Sequence, residues 1–458
     1  MEQSCAKTKA ALKDWYTAVN AGRNDIFQNV LLETCQIVGA TCIGINSNRD
    51  FANVKFDVSI VDESGQIQIH NALIPMSRAP KNLLLGDYKQ IPPCANDLVV
   101  KACREDDIST ELLNKSFFEY LFTQMRKKTM EQMDISEEES GRLLEPVLKD
   151  YVPKRECRYS TAEVQEMIKH VTADQKKTVN LNTQFRMPGN ISDVISEWFY
   201  ESNYFSSYDM KRFAPMISGM DKPIVVISTS DHADRMETRL DGKKGYHNIY
   251  EAELVADLVE RAIQSRSEAE REEFCAHIAE QIGVISAYSA QVRAIRENLR
   301  KHCPYLDPKQ IQSMVASLDS FQGQERPLII YSLTRSTTDI KPHEGRVGFM
   351  KELRRLNVAF TRSKKQLVIL GDVNYLCSCM NMENREDEHG MQIIWPCEAS
   401  DTKEPVEIAF EQIKQCESCD AVCERKFARF MRLMMQHVRS GSGNLVLSQD
   451  FLRTKSKH

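Results

Sequence analysis

Residues 56–66 read Phe56-Asp57-Val58-Ser59-Ile60-Val61-Asp62-Glu63-Ser64-Gly65-Gln66, an apolar run that ends in two adjacent carboxylates and a turn. Branched aliphatics at this density predict a strand, and acids directly after it place its carboxyl end at a surface. Asn82 to Asp87, Asn-Leu-Leu-Leu-Gly-Asp, repeats the pattern. The runs Pro223 to Ser228, Ile282 to Ser286, Leu328 to Leu333 and Gln366 to Gly371 are of the same kind, with amphipathic helical stretches between them. This alternation predicts doubly wound α/β domains with buried parallel strands. Ligands of such sheets bind outside the carboxyl ends of the strands, where the Asp62-Glu63 pair falls.

Outward from these strands, the chain divides into four segments. The first domain is expected over residues 1–125. Residues 126–178 break the rhythm with an acidic cluster (Asp134, Glu137, Glu138, Glu139) and no buried strand, as a helical insertion would. The second α/β domain is expected over 179–376. Strands are expected to stop after Asp372, and from about Glu404 to Val438 apolar residues recur at helical spacing, so 377–458 reads as a helical extension. From Glu424 to the end, Arg425, Lys426, Arg429, Arg432, Arg439, Arg453, Lys455 and Lys457 face only Glu424 and Asp450, a basic tail that is either a solvated helix face or a contact for polyanions.

Composition agrees with this division. A chain of 458 residues suits two or three domains at about 100 to 200 residues each. Its 42% hydrophobic and 27% charged residues fit a soluble globular protein. No run approaches the roughly 18 apolar residues of a membrane span, and the first residues lack a signal peptide's apolar stretch, so a soluble intracellular protein without a membrane partner is expected. The 14 cysteines lie singly in apolar segments, as reduced thiols do. Cys416, Cys419 and Cys423, with Cys397 or His437 as a fourth ligand, would suit zinc. Their three- and four-residue spacing in line with Phe410, Ile413, Phe427 and Phe430 suits an apolar helix stripe better.

An aspartate and a glutamate at a strand end are an ordinary turn or, in nucleotide hydrolases, a Mg²⁺ holder and a polariser of water. About twenty residues later, Leu85-Gly86-Asp87-Tyr88-Lys89-Gln90-Ile91-Pro92-Pro93 opens a second buried strand into a stiffened polar loop carrying Gln90. In this order and at this distance the two segments resemble motifs II and III of superfamily 1B helicases, the group that includes the nonsense-mediated decay helicase and senataxin. Leu181-Asn182-Thr183-Gln184-Phe185-Arg186-Met187 resembles motif IV, and Ile282 to Gln291 resembles the strand and loop after it. Val315-Ala316-Ser317-Leu318-Asp319-Ser320-Phe321-Gln322-Gly323-Gln324-Glu325 resembles motif V, and Arg354-Arg355-Leu356-Asn357-Val358-Ala359-Phe360-Thr361-Arg362-Ser363-Lys364 resembles motif VI.

The resemblance implies two RecA-like motor domains and ATP-driven movement, 5′ to 3′, on single-stranded RNA or DNA. It implies Asp62 as the Mg²⁺ residue acting through water, Glu63 as the polariser of the attacking water and Gln90 as a phosphate sensor. Arg186 and Arg362 would be arginine fingers, which stabilise charge on the γ-phosphate oxygens. Gln184, Phe185, Gly323 and Glu325 would line the nucleotide, Phe185 standing where the family usually has a tyrosine. Thr41 and Ser317 would meet the nucleic-acid backbone, and Arg354 and Arg355 would serve structure or an interface. One part is missing: no stretch reads as a Walker A loop, and Asp241-Gly242-Lys243-Lys244-Gly245 lacks both its spacing and its Ser or Thr. The first domain is therefore expected to be incomplete at its N-terminus, the loop coming from an upstream segment or a separate polypeptide. A non-catalytic scaffold is the alternative, but it has no chemical need of Asp62, Glu63, Gln90, Arg186 and Arg362 together.

Overall fold

The computed structural model describes residues 34–47, 54–106, 109–110, 112–132, 179–200, 202–239, 245–321, 323–337, 347–378 and 420–453, with a few isolated positions besides. The chain divides into two compact units, Met1–Met125 and Arg126–His458. Of the acidic segment, residues up to Gln132 end the helix Phe117–Gln132, and the rest lies outside the described residues. No described helix is long and apolar enough to cross a membrane.

In the first unit, β1 (Val58–Val61) and β2 (Lys81–Leu84) pair in parallel, with helix α1 (Ile69–Met76) between them in sequence. The ladder runs past the strand ends, Leu85 N donating to Val61 O and Ser64 N to Leu85 O. Val58, Ile60, Leu83 and Leu85 are exposed although their residue types are those of a covered sheet. An open groove of about 1890 Å³ follows β1, lined among others by Thr41, Ile43, Ile60, Asp62 and Gln66.

The second unit carries the principal core. Helix α2 (Gly189–Phe199) precedes β3 (Ile224–Ser228), which leads to α3 (Ile249–Gln264), β4 (Ile282–Ser286), α4 (Ser289–His302), α5 (Pro308–Met314), β5 (Val315–Ser317) and β6 (Arg326–Ser332). Helix α6 (Leu353–Phe360) and β7 (Ser363–Gly371) follow, then α7 (Asp420–His437), β8 (Gly443–Leu447) and α8 (Ser448–Arg453). The sheet order is β8-β3-β7-β6-β4-β5, parallel throughout. All residues of β3 and β4 are buried. Helices cover both faces, so these strands read as unbroken apolar runs rather than alternating ones. Leu254, Val255 and Leu258 of α3 and Ile295 and Leu299 of α4 pack with Ile227, Ile330 and Leu370 in one cluster. This is the doubly wound, RecA-like α/β architecture expected.

The C-terminal segment corrects two expectations. Strands do not stop after Asp372: β8 adds to the sheet beside β3, in register from Gly443↔Ile224 to Leu447↔Ser228. Gly441, at φ 102°, ends the helical run and turns the chain toward the sheet edge. Nor is the basic end only a solvated or frayed tail. Phe451 of α8 is 2% exposed in the central core, under the Arg261 guanidinium at 4.2 Å. Ser448 Oγ and Gln449 N donate to the two oxygens of Asp231, and Tyr250 Oη donates to Ser448 Oγ. Lys455 and Lys457 lie outside the described residues.

Helix α7 buries Phe427, Phe430, Met431 and Met434. Phe430 meets Trp198 and Phe199 of α2 and Phe360 of α6 at ring distances of 5.6, 5.7 and 6.0 Å. Of the expected stripe, Phe427 and Phe430 are buried, while Cys397, Phe410, Ile413, Cys416 and Cys419 lie outside the described residues, as does the side chain of Cys423. His437 contacts Glu197 at 3.0 Å.

Candidate active site

In the first unit the end of β1 is shaped by a close crossing of two loops. A Cβ on Gly65 would lie 2.5 Å from Asp87 O, and one on Gly86 would lie 2.6 Å from Gly65 N, so only glycines let the backbones approach. This crossing fixes Asp62 and Glu63 at the strand end, both exposed. Asp62 Oδ1 accepts from Glu63 N at 2.9 Å, and Glu63 Oε2 accepts from Gln66 Nε2 at 3.0 Å. Glu63 has φ 51°, a left-handed conformation uncommon for a residue with a side chain. Such outliers cost about 1–3 kcal/mol and gather at functional sites. Gln90 Nε2 donates to Asp87 Oδ2 at 3.0 Å, while Asp87 Oδ1 accepts from Lys89 N. Thr41 Oγ1 accepts from Gly44 N at 2.9 Å, capping the short helix Gly44–Ser47 and leaving its own proton for donation.

In the second unit the motif IV stretch folds as a tight turn around Gln184. That amide is buried, its Oε1 accepting from Arg186 N and Met187 N and its Nε2 donating to Met187 O. All three bonds lie inside the turn, so Gln184 builds it from beneath. Phe185 is thrown outward, 77% exposed. Arg186 Nε donates to Glu325 Oε2 at 2.7 Å, and its Nη1 donates to Thr361 O at 3.3 Å. Lys364 Nζ reaches Glu325 Oε1 at 2.5 Å. The Lys364 hydrogen bond, then the Arg186 charge, hold the Glu325 carboxyl below the usual range against partial desolvation.

Motifs IV, V and VI therefore meet on one carboxylate. Gly323, at φ 73°, turns the chain just before it. Arg362 is 6% exposed, its Nε donating to Val358 O at 2.9 Å, which seats it against the last turn of α6. Arg355 lies 3.8 Å from Asp319, an ion pair within the second unit. Ser317 Oγ is 2.9 Å from Ser320 Oγ.

The carboxyl edge of the same sheet holds a buried polar network. Ser332 of β6 is in register with Ser286 of β4, and Ser286 with Ser317 of β5. Beyond Ser332 the chain makes a γ-turn at Thr334, φ 69°, closed by Arg335 N donating to Leu333 O at 2.7 Å. Glu251 of α3, wholly buried, secures this turn. Its Oε2 accepts from Ser332 Oγ at 2.6 Å and from Thr334 N at 2.9 Å. Burial pushes its pKa up to about 8 although both hydrogen bonds favour the charged form, and Asp372 and Glu237 raise it further. Arg335 follows the turn, buried in an ion pair with Glu237 at 2.8 Å.

Sequence reasoning assigned no role to Gln66, Asp87, Lys364 or Glu251. Gln66, Asp87 and Lys364 sit inside the quoted motif stretches, where a strand-end polar residue is signal enough. Glu251 shares the apolar stripe of α3 with Leu254, Val255 and Leu258, and an acid on such a stripe marks a buried partner set.

Two family models, each described as an AAA domain, match residues 1–96 and 160–374. An uncharacterised ATP-dependent helicase of Methanocaldococcus jannaschii is 27% identical over 70% of this chain and 37% of its own length. A DNA polymerase alpha-associated DNA helicase A of Schizosaccharomyces pombe is 32% identical over 42% of this chain and 28% of its own. The probable helicase senataxin of Homo sapiens is 24% identical over 76% of this chain and 10% of its own. The chain thus spans well under half the length of each of these relatives.

Proposed function

Because the chain belongs to the superfamily 1B helicases, we propose that it is the motor part of an ATP-dependent helicase or translocase that moves 5′ to 3′ on single-stranded RNA or DNA. The observation that carries this is the convergence of Arg186 and Lys364 on Glu325, beside the outward ring of Phe185. A binding scaffold has no use for cations from two distant segments gathered where a phosphate could be met.

The residues fit a nucleotide with Mg²⁺ in part. Asp62 is an exposed hard-oxygen ligand at a strand end, suited to a cation that keeps its waters. Mg²⁺ would supply charge neutralisation between phosphate oxygens. Glu63, held by Gln66, orients and polarises the attacking water, and Gln90, held by Asp87, contacts the terminal phosphate. Phe185 offers its flat face to adenine. Arg186 and Arg362 stabilise charge on the γ-phosphate oxygens, while Gln184, Gly323 and Glu325 shape the surface that presents them. Thr41 and Ser317 donate hydroxyl protons to the nucleic-acid backbone. No stretch of the sequence reads as a Walker A loop, so no residue of this chain is assigned to the phosphate cradle.

The test is a fusion that places a relative's Walker A strand, loop and helix before this chain. Single strands should stimulate its ATP turnover, Glu63→Gln should abolish turnover while ATP still binds, and duplexes with a 5′ tail should be unwound in preference to those with a 3′ tail. A soluble fusion without strand-stimulated turnover would overturn the proposal.

A further inference from the structure

One large ring of the second unit stands in water with no role in the nucleotide chemistry. Phe349 is 60% exposed, on the short 3-10 turn Gly348–Lys351 that leads into α6. The turn is held tightly beneath it. Gly348 has φ 57°, and a Cβ there would lie 2.2 Å from Tyr288 Oη and 2.8 Å from Arg335 Nη1. Tyr288 Oη donates to Val347 O at 3.1 Å, and both Tyr288 and Arg335 are buried. A ring on so constrained a backbone is presented at low entropic cost, as a recognition surface requires.

Its neighbours continue the pattern. The rings of Phe349 and Tyr288 lie 5.6 Å apart, and Tyr288 meets Tyr246 edge-on at 5.8 Å. Tyr246 carries Arg335 at 4.1 Å and the exposed Arg239 guanidinium at 5.7 Å. A row of aromatic rings thus starts in solvent at Phe349 and ends beneath an exposed cation. The row sits beyond the carboxyl ends of β4 and β6, the edge shared with Ser317.

We propose that Phe349 is a base-stacking residue for single-stranded nucleic acid on the second unit, with Arg239 contacting a backbone phosphate. The inference rests on the strand-binding reading above and names a surface for it. Every base has a π face, so stacking on an exposed phenyl ring tolerates any sequence, as a motor that tracks a strand requires. A cation beside the rings supplies the sequence-independent backbone term.

The experiment measures binding of the 458-residue chain, at one salt concentration, to a single strand of thymidines and to an abasic strand of equal length. Phe349→Ala should weaken binding of the base-bearing strand by roughly 5- to 150-fold and leave the abasic strand unchanged. Arg239→Ala should weaken both and flatten the salt dependence. Phe349→Trp should retain affinity, and its added fluorescence should be quenched by the base-bearing strand alone. Equal binding of the thymidine strand by wild type and Phe349→Ala, or equal loss on both strands, would overturn the proposal. If wild type binds neither strand, the strand-binding reading falls first and this inference with it.

Discussion

Replacing Glu251 by glutamine should flatten the dependence of the second unit's stability on pH. In the folded protein this carboxyl holds its proton up to a pKa of about 8, against 4.5 for an ordinary glutamate. Between those values the folded state binds one proton more than the unfolded chain. The stabilisation is complete below the unfolded pKa and is lost as pH rises through the folded one. One proton corresponds to about 1.4 kcal/mol per pH unit, so raising pH from about 6 to 7.5 should remove on the order of 2 kcal/mol. With a urea slope of about 1–3 kcal/mol/M, the midpoint should fall by roughly 0.7–2 M. Glutamine cannot titrate, so its midpoint should move only with the remaining groups, which both proteins share. The assay is urea unfolding at the two pH values, followed by tryptophan fluorescence, with Trp198, half-buried and edge-on to Phe430, as a reporter of this unit. Parallel midpoint shifts in wild type and Glu251→Gln would refute the assignment of a retained proton to this carboxyl.

The 458 residues expressed alone should not turn over ATP. No stretch of the sequence reads as a loop that would hold the β- and γ-phosphates, and positioning supplies most of the catalysis in phosphoryl transfer. Turnover that Glu63→Gln removes would mean that unrecognised residues hold the phosphates. Deleting residues 443–458 should cause aggregation or a lowered melting temperature, because it bares the β3 edge and takes Phe451 from the core. A soluble product that melts like wild type would contradict the seating of β8 and α8.

The parallel sheet was legible because strands covered on both faces need no periodicity to announce themselves. Ile224 to Ser228 and Ile282 to Ser286 are buried at every position, and their sequences say so. β8 gave no such signal. Gly443-Asn444-Leu445-Val446-Leu447 is short and half-exposed at the sheet edge, and its partner β3 lies more than two hundred residues earlier, as the Asn444–Lys222 hydrogen bond shows at a separation of 222. Nothing local distinguishes such a segment from a loop, and the arginines and lysines around it drew attention to charge instead. The charges are real, but the chain between them is placed by Phe427, Phe430 and Phe451.

The site shows a similar division between what one stretch can carry and what only the fold assembles. Asp62, Glu63 and Gln90 lie in short stretches whose order and spacing mark them as candidates, although the loop crossing that fixes the strand end joins Gly65 to Gly86. Arg186 is placed by a residue 139 positions away, and no spacing rule reaches that far. What the fold adds is a division of labour on Glu325. Lys364 is the largest cause of its lowered pKa, ahead of Arg186, and holds the Oε1 atom while Arg186 holds Oε2.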